Sequence, residues 1–128
     1  MKGMNLPMTN YVYILYNPEI ENTCIIVQTN SIKNTLSEAN AGGKEKWIPY
    51  ARFQAYNDTV IDDVYAIIRA TGKEKDKTGI CPQNGFRINA SVNSLHHFFN
   101  KIERVFKYAN SFEMVDEKGE PVPSEIII

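Results

Sequence analysis

Tyr13 stands within a run of aromatic and branched residues, Tyr11 to Tyr16 (YVYILY), and Asp62-Asp63 open a later amphipathic stretch. A phenol can donate and accept a hydrogen bond, and a carboxylate offers the oxygen that a hard divalent cation prefers. His97, Lys101 and Arg104 fall four and then three residues apart, a spacing that places three cationic groups on one helical face where phosphate can be met. Each group also has a plainer reading. Tyr11 and Tyr13 alternate with core residues and suit packing. Asp62 and Asp63 at a helix start complement the helix dipole with no metal. His96 and His97 fit the solvated side of an amphipathic helix, and Glu103 sits beside Arg104.

Other chemistries find less support. Cys24 and Cys81 are far apart and lack a C-x-x-C partner, so two thiols fit better than a zinc ligand set or a disulfide framework. Adjacent His96 and His97 would project about 100° apart on a helix, too divergent for one metal. No metal site is expected. Walker, dinucleotide-binding and Ser-His-Asp patterns are absent.

The formal net charge of the 128 residues is -1. Without a global basic field, nucleic-acid binding would need a local patch. Lysines 44, 46, 73, 75 and 77 do not supply one, because they alternate with Glu or Asp in solvated loops. Hydrophobic residues make up 43% and charged residues 23%, an ordinary globular balance sufficient for one core. Residues 1–128 are read as one domain. No apolar run approaches the roughly 20 residues of a membrane span. A cytoplasmic, non-membrane protein is the expectation.

The elements that must position these residues follow from the pattern. Tyr11–Tyr16 and Thr23–Thr29 are two β-rich runs split by an Asn17-Pro18 loop, which predicts an antiparallel pair. Asn30-Ser31 can cap a helix carrying Ile32, Leu36 and Ala39 on one face, with Gly42-Gly43 ending it. Tyr50–Tyr56 alternates as a strand with Phe53 and Ala55 on one face. Thr59 with Asp62 makes a near capping box before a stripe of Ile61, Val64, Tyr65 and Ile68. A short strand is predicted over Phe86–Asn89 and a long helix over Ser91–Ala109, its buried face set by Leu95, Phe98, Phe99, Ile102, Val105 and Phe106. Phe112–Val115, Asp116–Gly119 and Glu120–Val122 suggest a closing hairpin. The predicted class is α+β, with a small antiparallel or mixed sheet of about three core strands, three flanking helices and a C-terminal hairpin and tail over 110–128.

Tyr11-Val12-Tyr13-Ile14-Leu15, Asn17-Pro18, a second strand ending in Thr29, and the late Phe86-Arg87-Ile88 strand give a chain that resembles GIY-YIG nuclease domains. The likeness is nearest to their small phage- and mobile-element-associated branch, whose members open with similar strand, Asn-Pro loop and strand. It spans roughly residues 10 to 107. The resemblance implies hydrolysis of a phosphodiester with one divalent metal, using two tyrosines or a tyrosine and a lysine, a glycine, an arginine and a glutamate.

Tyr13 matches the first tyrosine. The second falls on Ile25, the glycine on Val27, the arginine near Thr35, and the glutamate within a residue or two of Tyr65. Loss of one electrostatic group typically costs about 2.7–4 kcal/mol of barrier, so the resemblance implies a domain whose nuclease chemistry is lost. The expected role is therefore binding, with a protein partner or self-association favoured over nucleic acid and no cofactor. Ile126, Ile127 and Ile128 are the expected contact, since a small core has little room for them. The alternative is a nucleic-acid-binding domain or weak endonuclease that uses Tyr13 with Asp63 or Asp62 and requires Mg²⁺, its phosphate contacts coming from His97, Lys101 and Arg104.

Overall fold

The computed structural model describes residues 10–43, 46–70, 85–97 and 112–122. In chain order the elements are β1 (Asn10–Tyr16), β2 (Cys24–Thr29), α1 (Ile32–Ala39), β3 (Ile48–Ala55), α2 (Val60–Ala70), β4 (Gly85–Ile88) and β5 (Glu113–Met114). Residues 92–97 are helical and are called α3.

The class is α+β, as expected, but among the described residues the sheet has five strands rather than about three, in the order β4-β2-β1-β3-β5. All four pairings are antiparallel. The count differs because two short segments extend the three central strands. β4 pairs along the outer edge of β2 through Cys24↔Ile88 and Val27↔Gly85. The C-terminal hairpin, expected as an appendage, adds β5 to β3 through Ala51↔Met114 and Arg52↔Glu113.

The β1–β2 pair is in the expected place, in register from Tyr11↔Thr29 to Tyr16↔Cys24. Its loop is shaped by Asn17, whose side-chain oxygen accepts from the Glu19 N–H at 2.9 Å, and by Asn22 at φ 54°. Asparagine is one of the few non-glycine residues that visits this left-handed region readily.

Alternation along β1 divides the molecule into two cores. Val12 and Ile14 join Cys24, Ile26, Phe53 and Ile88 beneath Val60, Ile61, Val64 and Ile68 of α2 and Leu95 of α3. Tyr13 and Leu15 point to the other face, with Ile25, Val27, Ala39 and Trp47, under Ile32 and Leu36 of α1. Strands buried on both faces read as continuous apolar runs, and CIIVQT is such a run. The two helices thus cover opposite faces of one sheet.

Local caps differ in one place from expectation. Ser31 caps α1 as predicted, its side chain accepting from the Asn34 N–H. At α2, however, the Thr59 hydroxyl donates to the Asn57 side-chain oxygen at 2.8 Å. The capping acceptor at this end comes from β2: Gln28 accepts from the Ile61 N–H at 3.0 Å and donates to the Asn57 carbonyl at 2.6 Å. A buried glutamine therefore ties the sheet to the start of α2 and satisfies two backbone groups that would otherwise cost about 1–3 kcal/mol each.

β3 begins at Ile48, two residues before the expected Tyr50, and it carries an extra residue. Ile14 pairs with Ala51 while Leu15 pairs with Pro49, so Tyr50 is bulged out of register. A bulge re-aims a side chain, and here Tyr50 joins Ala51 on the α2 side of the sheet. Of the long helix predicted over Ser91–Ala109, residues 92–97 are helical and Leu95 is fully buried. Phe98, Phe99, Ile102, Val105 and Phe106 lie outside the described residues. No helix among the described residues is long and apolar enough to cross a membrane.

Candidate binding face

The face of the sheet that carries Tyr13 also carries a charged pair, Arg52 and Glu113. Register alone assembles them. Tyr13 pairs with Arg52 across β1 and β3, and Arg52 pairs with Glu113 across β3 and β5. Cross-strand partners stand close enough for their side chains to interact directly. Arg52 Nη1 donates to the Tyr13 hydroxyl at 3.1 Å, and Arg52 Nε donates to Glu113 Oε2 at 2.7 Å. The guanidinium also lies over the Tyr11 ring, 3.8 Å from its centroid. Tyr11 and Tyr13 meet edge to face at 5.9 Å. The result is a row in which buried Tyr13 is flanked by half-buried Tyr11, Arg52 and Glu113.

The electrostatics of this row favour holding over proton transfer. Burial raises the Tyr13 pKa above its ordinary value of 10.0, against the opposing pull of the Arg52 hydrogen bond and charge. A phenol so held stays protonated at neutral pH and is a poor general base. Burial pulls the Arg52 guanidinium down, but its hydrogen bonds to Tyr13 and Glu113 outweigh that, so it is held charged. Glu113 balances that charge. A partly solvated pair of this kind contributes about 0–1 kcal/mol, and the guanidinium over Tyr11 contributes about 0.5–1 kcal/mol.

Further along the same face, Trp47 is 1% exposed. Asn40 at the end of α1 secures it, accepting from the Trp47 N–H at 2.6 Å and donating to its carbonyl at 3.3 Å. The Arg87 guanidinium lies 5.1 Å from the Trp47 ring centroid.

The C-terminal hairpin closes this face. Asp116 organises its turn, its side-chain oxygen accepting from the N–H groups of Lys118 at 2.9 Å and Glu120 at 3.0 Å. These bonds hold the Asp116 carboxyl below its ordinary pKa. Gly119 then adopts φ 88°, so close to α1 that a β-carbon there would stand 2.9 Å from Ile32. Between turn and helix runs a groove of about 660 Å³, lined by Ile32, Lys33, Leu36, Asn40, Lys118 and Glu120, among others.

The structure does not bring the expected nuclease pair together. Tyr13 belongs to the α1 face, whereas Asp62 and Asp63 are exposed on α2, which packs on the opposite face. Ile25 and Val27, which the resemblance sets against the second tyrosine and the glycine, are buried core residues on the Tyr13 face, and Thr35 is buried on α1. Among the described residues, no three of His, Cys, Asp and Glu group as metal ligands would. His97 is exposed. Its expected companions Lys101 and Arg104, and also Ile126, Ile127 and Ile128, lie outside the described residues.

His96 corrects its expected place on the solvated side. It is half-buried, its Nδ1 2.6 Å from the Tyr50 hydroxyl and its ring 5.1 Å from that of Phe112. The bulge at Tyr50 makes that contact possible. Arg52 and Glu113 were not legible as site residues, because only strand register joins positions 61 residues apart. The one sequence signal was an arginine at a polar position of an alternating strand.

No family model, no curated protein and no solved structure matches the chain.

Proposed function

We propose that the chain is a GIY-YIG-like domain that works by binding rather than by catalysis, with a protein or a second copy of itself as partner and Ile126–Ile128 as part of the contact. The observation that carries the loss of catalysis is the environment of Tyr13. Its hydroxyl accepts from Arg52, its pKa is raised, and the aspartates that would serve it stand on the far face of the sheet. Binding is supported by apolar exposure on the hairpin. Met114 and Val122 are 37% and 43% exposed and adjoin through the Val122 N–H to Met114 carbonyl bond of 3.0 Å. In sequence, Val122 precedes the isoleucine-rich segment by four residues.

The test is incubation of the purified protein with single- and double-stranded DNA in Mg²⁺ or Mn²⁺. No cleavage above background is expected. Metal-dependent cleavage that disappears in Tyr13→Phe would overturn the proposal and establish the weak-endonuclease alternative.

A further inference from the structure

We draw no further inference here: the strongest candidate, the groove between α1 and the hairpin turn lined by Ile32, Leu36 and Lys118, is a partly apolar surface, and nothing in the structure shows what covers it.

Discussion

Replacing Gly119 by alanine should be the most damaging single-methyl change available on the candidate binding face. Two costs combine. The residue holds φ 88°, and left-handed backbone costs a residue with a β-carbon about 1–2 kcal/mol. The new carbon would also stand 2.9 Å from Cγ1 and Cγ2 of Ile32 and 3.3 Å from its Cβ. Those atoms branch directly from the first turn of α1, so the helix or the turn must move, an overpacking cost of about 1–3 kcal/mol. The sum, about 2–5 kcal/mol, is a large part of the roughly 5–15 kcal/mol that holds a typical domain together. Urea unfolding at equilibrium would measure it. A double-mutant cycle with Ile32→Ala separates the parts, because trimming Ile32 relieves the overlap and leaves the backbone cost untouched. The pair should therefore be less destabilised than the sum of the singles. A Gly119→Ala loss below about 0.5 kcal/mol, or strict additivity with Ile32→Ala, would refute the close packing of turn on helix.

Cys24 offers a pH-dependent measurement. Burial pushes its thiol from 9.0 up to about 12. The folded state therefore favours the neutral thiol, and its contribution is complete below pH 9 and disappears as pH rises through about 12. That loss amounts to about 4 kcal/mol, with Tyr13 and Tyr50, both raised by burial, adding to the alkaline fall above their ordinary range. Denaturant unfolding across the alkaline range should show a shallower decline for Cys24→Ala than for the natural chain, and equal slopes would count against a buried, protonated thiol. On α3, His96→Ala should cost about 1–2 kcal/mol through the lost Tyr50 bond, while His97→Ala should stay within about 0.5 kcal/mol. Thermal or urea unfolding giving equal losses would mean that the phase of this helix is wrong.

What the sequence disclosed, and what it hid, divides along range of interaction. Tyr11–Tyr16 and Thr23–Thr29 were legible as a strand pair because hydrophobic runs and an Asn-Pro loop are local signals. Helix α1 was legible through Ser31 and the Ile32, Leu36, Ala39 spacing. The α2 stripe was legible too, but its true cap was not, since Gln28 lies 33 residues from Ile61. The Tyr50 bulge carries no local signature, and neither does the approach of Phe112, yet these two rings are what make His96 a partner rather than an outward residue. Nor does periodicity say which face of a sheet a following helix will cover. Tyr13 and Asp63 both sit in well-predicted elements, yet the two-face arrangement keeps them apart, and Arg52 and Glu113 take the places beside Tyr13.

The strand order has a consequence for how the chain can be made. Read outward from β1, the sheet adds β2 on one side, β3 on the other, then β4 beyond β2 and β5 beyond β3. Each strand therefore joins a free edge left by its predecessors, and none must be threaded between two already paired. Chains emerge from the ribosome N-terminus first, at about 5–20 residues per second. Growth of the sheet can keep pace with synthesis, every new strand finding its template already present and no earlier pairing needing to be undone.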